Sequence, residues 1–381
     1  MYERALKLPQ HPKKTFFLWG SRQVGKTSLL KRYYPNAMWI QLLKNEEYIA
    51  FQERPELLRE RIKKNGSKFV IIDEIQKVPA LLDEVHYLIE EEGIVFGLCG
   101  SSARKIRKQH ANLLGGRALR FELYGLTSSE LAKDFDLTKL LNHGYLPSIY
   151  DTEQPKALLK SYCVDYLKEE VMAEGLVRKL PPFSRFLEAA ALGDTEILSY
   201  ETFARDCGVS APSVRTYFEI LTDTLLGSFL PAYVRRPKRR TVLSSKFYFG
   251  DVGVVNSLAQ RGRLEPGSEL YGKAFENWVY HELKSYLAYS DREESLSFWR
   301  LTTGVEVDFI VGHMKCAIEA KASQRIHSDH LKGLKEVSAD FPELKKKIVV
   351  SLEKYSRRNE QGITILSVQD FVKELWAGKL F

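Results

Sequence analysis

Cysteine is scarce in this sequence, and long apolar runs are missing from it. Cys99, Cys163, Cys207 and Cys316 lie far apart with no CxxC pair among them. Neither a zinc site nor a disulfide framework is suggested, and a reducing compartment fits best. No run approaches the roughly 18 apolar residues that a membrane-spanning helix needs. The opening segment MYERALKLPQHPKK has no apolar core of the kind a secretory signal carries. A cytoplasmic protein with no membrane partner is therefore expected. Internal repeats and low-complexity tails are also missing.

A length of 381 residues suggests two to three domains. With 44% hydrophobic and 28% charged residues the chain has an ordinary globular composition. The net charge of +8 points softly to an anionic partner, of which nucleic acid is the commonest.

The strongest motif is Gly20-Ser21-Arg22-Gln23-Val24-Gly25-Lys26-Thr27, a complete GxxxxGK[ST] loop. The apolar run TFFLW precedes it and the helix-like SLLKRYY, from Ser28, follows it. Such a loop curls its backbone N–H groups around a polyphosphate, and the helix N-terminus behind adds positive potential. Lys26 can reach the β- and γ-phosphates, and the Thr27 hydroxyl can take a Mg²⁺ coordination place. ATP with Mg²⁺ is the expected cofactor pair.

Phe69 to Glu74 (FVIIDE) reads as a buried parallel strand ending in two carboxylates. Asp73 is expected to hold Mg²⁺, directly or through water, and Glu74 to orient or deprotonate the attacking water. A third apolar strand, GIVFGLC, ends at Gly100-Ser101-Ser102. Ser101 is either a γ-phosphate sensor or a plain helix cap. In the basic stretch beyond it, Arg117 is the first candidate for a guanidinium offered to a γ-phosphate, often across a subunit boundary, and Arg104 the second. A solvated basic surface is the alternative.

The segments GSRQVGKTSLL, VIIDEIQKVPALLDEVHYLIE and CGSSARKIRKQHANLLGGRALRFELYGLTSSEL together resemble the prokaryotic AAA-type ATPases that carry a C-terminal domain of unknown function with a restriction-endonuclease-like fold. The likeness covers nearly the whole chain and implies ATP binding; an arginine offered across a subunit boundary would in addition predict a homo-oligomer.

Downstream, SYETFARDCGVSAPSVRTYFEILTDTLL fits a helix-turn-helix. FLPAYVRRPKRRTVLSSKFYFGD follows as two strands about a basic tip, which together make a winged helix. Arg215, Arg235, Arg236, Lys238, Arg239 and Arg240 are its candidate contacts to DNA or RNA; a protein–protein joint is the other reading. Further on, GKAFENWVYHELKSYL carries Glu276, and SFWRLTTGVEVDFIVGHMKCAIEAKAS reads as three strands with Asp308 in the second and Glu319 and Lys321 in the third. Period two puts Glu319 and Lys321 on one face. Asp308 and Glu319 can share a Mg²⁺ while Lys321 stabilises a scissile phosphate. The pattern resembles the PD-(D/E)xK nuclease superfamily, with Glu276 as the acid of its first helix; the motif's proline is replaced by Val307. The pair His327 and His330 fits a solvated helix start better than a metal site.

The expected fold is α/β: a P-loop AAA-type ATPase domain over residues 1–133, a helical connector over 134–194, a winged helix over 195–250 and a restriction-endonuclease-like domain over 251–381. Two functions fit. One is an ATPase coupled to a Mg²⁺-dependent nuclease-like domain. The other is a nucleotide-dependent switch or DNA-binding regulator whose C-terminal domain binds without cutting. A defence-associated ATPase is a third reading.

Overall fold

The computed structural model describes residues 2–102, 116–166, 180–234 and 241–381. Arg104 and the basic tip carrying Arg235, Arg236, Lys238, Arg239 and Arg240 lie outside the described residues. The chain divides into two units, one spanning Leu6–Gly125 with Ile220–Leu226, the other the first five residues with Leu126–Glu219 and Gly227–Phe381.

The first unit is built on five strands: β1 (Thr15–Trp19), β2 (Met38–Gln41), β3 (Phe69–Asp73), β4 (Val95–Gly100) and β5 (Ala118–Glu122). Their order is β2-β3-β4-β1-β5, and every neighbouring pair is parallel. Parallel strands need crossovers, and the helices that supply them cover the sheet. That is why TFFLW and VIID read apolar at consecutive positions: Phe16, Phe17, Leu18, Trp19 and Val70 to Ile72 are all buried. The order makes β1, β4 and β3 neighbours. Trp19 pairs in register with Gly100, and Cys99 with Asp73. The carboxyl ends of three strands, each followed by a motif seen in the sequence, thus converge at one sheet edge.

The second unit begins with helices, among them Leu137–His143, Pro155–Ser161 and Leu180–Leu192. The helix Tyr200–Cys207 and the helix Ala211–Asp223, up to its Glu219, follow, then an antiparallel hairpin of β6 (Gly227–Leu230) and β7 (Lys246–Phe249). Aromatic rings knit these pieces together. Phe218 meets Phe186 at 4.8 Å, Phe203 at 5.3 Å and Phe247 of the hairpin at 4.9 Å. Such edge-to-face contacts add to the gain from burial.

A mixed sheet completes the unit, in the order β12-β13-β11-β10-β9-β8. Its strands are β8 (Leu296–Arg300), β9 (Glu306–Val311), β10 (Cys316–Lys321), β11 (Lys346–Ser351), β12 (Arg357–Arg358) and β13 (Thr364–Ser367). The long helix Glu269–Tyr289 contributes Trp278 and Leu283 to one core with Phe309, Ile318 and Val350. The helix Lys332–Asp340 contributes Leu334 and Val337 to another with Ala317 and Val349. Period-two alternation along β10 divides its residues between these cores.

The hairpin is tied into this assembly by buried polar groups. Asp194 accepts hydrogen bonds from Phe249 N (2.8 Å) and from Asn277 Nδ2 (2.9 Å), and Asn277 Oδ1 accepts one from Tyr145 (2.9 Å). Bridges Ala232–Phe298 and Thr241–Leu301 extend the contact to β8 and the residue after it.

Candidate functional sites

In the first unit the loop after β1 turns on two left-handed residues, Gln23 (φ 64°) and Gly25 (φ 96°). Gly25 is the N-cap of the helix Lys26–Tyr33 and brings no capping side chain, so the helix's first N–H groups face the loop's concavity. Lys26 is buried, and its ammonium donates to the carbonyl oxygens of Gly20 (2.7 Å) and Ser21 (3.0 Å). Thr27 Oγ1 donates to Asp73 Oδ2 at 2.9 Å. The other Asp73 oxygen receives the Cys99 thiol at 3.0 Å. Burial, followed by the charge of Asp73, pushes that thiol well up, so it stays a protonated donor.

Glu74 is a buried non-glycine residue in the left-handed region (φ 60°). A bend of this kind aims a side chain off the strand end at some conformational cost. Gln76 Nε2 donates to the Glu74 carboxylate and to Ser101 Oγ (3.0 Å). The sheet edge therefore gathers Lys26, Thr27, Asp73, Glu74, Gln76 and Ser101. A hydroxyl and a carboxylate oxygen in mutual contact form a hard oxygen pair of the kind that suits Mg²⁺.

Arg117 stands apart from this group. It immediately precedes β5, whose Ala118 pairs with Thr15 and whose Glu122 pairs with Trp19. It sits at the opposite sheet edge from the loop, about a strand length away, roughly 15 Å. Its guanidinium pairs with Glu90 on the surface.

In the second unit a set of acids and lysines meets at β9 and β10. Asp308 and Glu319 are buried. The Asp308 carboxylate accepts from Ala320 N (2.8 Å) and lies 3.5 Å from Lys321 Nζ, which lies 2.5 Å from Glu319. Burial opposes ionisation of Asp308, yet the ammonium groups of Lys321 and Lys246 hold its carboxyl below its ordinary value. Burial and the neighbouring Asp308 charge push Glu319 well up. Two crowded carboxylates of this kind fit a divalent cation. Gly333 allows the close packing here: a Cβ at that position would come within 1.9 Å of Glu306 O and 2.4 Å of Glu319 Oε1.

Glu276 lies on the same unit's long helix, but its contacts are different. Its carboxylate accepts from Tyr248 Oη (2.6 Å) and Lys246 Nζ (3.0 Å). Lys246 also pairs with Glu306, whose other oxygen takes Arg300 at 2.7 Å. Arg215 is exposed, with its guanidinium over the Tyr200 ring at 5.3 Å. His330 Nδ1 accepts from His327 N at the start of a short 3₁₀ turn. Among the described residues, no group of three or more His, Cys, Asp or Glu side chains has the arrangement of a metal cluster.

Residues 12–132 match the family model of the AAA domain. This match supports an ATP-binding AAA-type ATPase reading of the first unit. Two further models match beyond it, a domain of unknown function (DUF8612) over residues 134–265 and a domain of unknown function (DUF4143) over 271–371. An uncharacterized protein of Mycobacterium tuberculosis is 25% identical over 80% of this chain and 69% of its own length. An uncharacterized protein of Methanocaldococcus jannaschii is 25% identical over 81% of this chain and 74% of its own. A solved replication initiator DnaA, bound to AMPPCP and single-stranded DNA, aligns over 56% of this chain and 83% of its own at 13% identity. Its TM-score of 0.29 is too low to carry an argument.

Two residues of these sites carry no role legible in the sequence. In the AAA domain, Gln76 was visible only as part of a family-like segment, and its bond to Glu74 and Ser101 needs the fold. Lys246 carried no signal except a cation at the head of an apolar strand, KFYF. No helix among the described residues is long and apolar enough to cross a membrane.

Proposed function

We propose that this chain hydrolyses ATP in its AAA domain and couples that cycle to nucleic acid through its second unit. The observation that carries the ATPase reading is the meeting of Lys26, Thr27, Asp73, Glu74 and Ser101 at one sheet edge. The loop from Gly20 to Ser28, including Ser21, Arg22, Gln23, Val24 and Gly25, wraps the phosphates. Lys26 leaves the carbonyl oxygens of Gly20 and Ser21 for phosphate oxygens. Thr27 and Asp73 would hold Mg²⁺, which supplies charge neutralisation across the phosphates. Glu74 orients the attacking water and takes its proton. Ser101, joined to Glu74 through Gln76, senses the γ-phosphate.

Arg117 lies at the far sheet edge, so it can serve only another protomer's nucleotide. A homo-oligomer follows, with turnover per chain rising as protein concentration rises. Constant specific activity across the dilution range would remove Arg117 from this role.

The second unit is read as a winged helix, formed by the helices Tyr200–Cys207 and Ala211–Asp223 with the β6–β7 hairpin, followed by a restriction-endonuclease-like domain. Asp308 and Glu319 would hold a divalent cation, and Lys321 faces the scissile phosphate. Four phosphate contacts from Arg215 and the basic tip would give a log–log salt slope of about −3.6, at roughly −0.9 per contact. A slope near zero would sink the nucleic-acid reading for that segment. Cleavage of supercoiled DNA, single-stranded DNA and RNA, each with Mg²⁺ and with or without ATP, tests the nuclease.

A second reading is favoured by one observation: Lys246 and Lys321 already neutralise much of the C-terminal acidity. On that reading the domain binds without cutting and the chain is a nucleotide-dependent switch. Salt-sensitive binding without cleavage of any of these substrates would select it.

A further inference from the structure

The acids of the C-terminal centre fall into two groups with different partners. Asp308 and Glu319 share Lys321. Glu276 and Glu306 share Lys246, whose side chain is only 4% exposed and whose ammonium also lies 5.7 Å from the Phe298 ring centre. Tyr248 adds a hydrogen bond to the Glu276 oxygen that Lys246 already engages, and Arg300 takes the second Glu306 oxygen. A buried ammonium loses much of its hydration, and this one is compensated chiefly by that carboxylate pair.

Ligand counting separates two possible ion stoichiometries. Glu276 and Glu306 are engaged by the buried Lys246, by Tyr248 and by Arg300, which leaves Asp308 and Glu319, paired only with the partly exposed Lys321, as the acids open to an ion. Two-ion centres also need carboxylates free to bridge ions roughly 3.5–4 Å apart, and Glu276 is committed elsewhere.

We infer that Lys246 stands where a second metal ion would otherwise be, so that the C-terminal centre takes one divalent cation on Asp308 and Glu319, with Glu276 anchoring Lys246 and holding no metal. This rests on the reading above that Asp308 and Glu319 form a cation site. Lys246 is on this account a positioning residue: it fixes the charge of the centre from the β6–β7 hairpin.

The test is a Mn²⁺ titration of the full chain without nucleotide, followed by calorimetry and by the EPR signal of free Mn²⁺. An Asp73→Asn background silences the AAA site. The expected result is one Mn²⁺ per chain. Asp308→Asn and Glu319→Gln should each weaken it by at least about tenfold. Glu276→Gln, which keeps an acceptor for Tyr248, should leave the affinity nearly unchanged. Two ions per chain, or loss of the ion in a folded Glu276→Gln variant, overturns the inference while the cation-site reading stands. Should Glu276→Gln fail to fold, the stoichiometry of the parent chain still decides. No Mn²⁺ at all would overturn both.

Discussion

Asp73 and Glu74 in the AAA domain take their hydrogen bonds from a hydroxyl, a thiol and an amide. Asp308 and Glu319, with Glu276 and Glu306 beside them, instead lie against lysines that are themselves buried or half-buried. Both centres are buried acid pairs, one at a strand end and the other within two strands, yet they have settled their charge differently. Neutral donors hold a carboxylate in place without cancelling it, and an arriving cation displaces them cheaply. Ammonium groups cancel it in advance, so an arriving ion must reorganise a network. The first arrangement suits a site that fills and empties every turnover. The second suits a standing electrostatic framework.

The largest expected effects test the chemistry at each end. Glu74→Gln should lower ATP turnover by about 10²–10⁴-fold, measured by phosphate release, while fluorescent ATP analogues still bind. Asp308→Asn should abolish any Mg²⁺-dependent cleavage and leave ATP turnover intact. Turnover that falls with Asp308→Asn would show that the two centres are not independent.

Stability comes next. Lys246→Met takes the buried ammonium from two partly buried carboxylates, leaving them Tyr248 and Arg300, and should cost about 3–5 kcal/mol in chemical denaturation. Lys246→Met with Glu276→Gln should recover part of that. Cys99→Ala in the AAA domain removes one neutral hydrogen bond and should cost only about 1–2 kcal/mol. Equal losses from Lys246→Met and Cys99→Ala would break the contrast between the centres.

A smaller effect concerns pH. Burial raises Asp194 to about 7 and Asp251 to about 6, from the ordinary 3.8. The folded chain then holds protons that the unfolded chain has released. Their stabilisation is full below about pH 4 and is lost as pH rises through 6 to 7, on the order of 3–4 kcal/mol for each group. Denaturation curves of Asp194→Asn should be flatter than those of the parent chain across that window. Smallest of all, Arg117→Ala removes a surface ion pair and should change stability by less than about 1 kcal/mol. Any large loss in that variant must appear as ATP turnover.

The AAA centre was legible in the sequence because its parts are contiguous. GSRQVGKT is eight residues in a row, and Asp73-Glu74 end an apolar strand whose burial pattern fixes its place. Asp308, Glu319 and Lys321 were nearly as legible, since strand alternation alone puts Glu319 and Lys321 on one face. Lys246 was not, because its partners lie thirty and sixty residues further on and local pattern carries no trace of such pairings. The edge on which Arg117 lies was equally hidden. It depends on the parallel register of β5 against β1, which no spacing reveals.

The β6–β7 hairpin also limits where this chain can be cut. It supplies Lys246, Tyr248 and Phe249 to groups on the long helix and at Asp194. A fragment beginning at residue 251 would keep Glu276, Glu306 and Asn277 but lose every partner the hairpin gives them. Such a piece should be recovered insoluble, whereas one beginning near residue 126 should express as a folded protein.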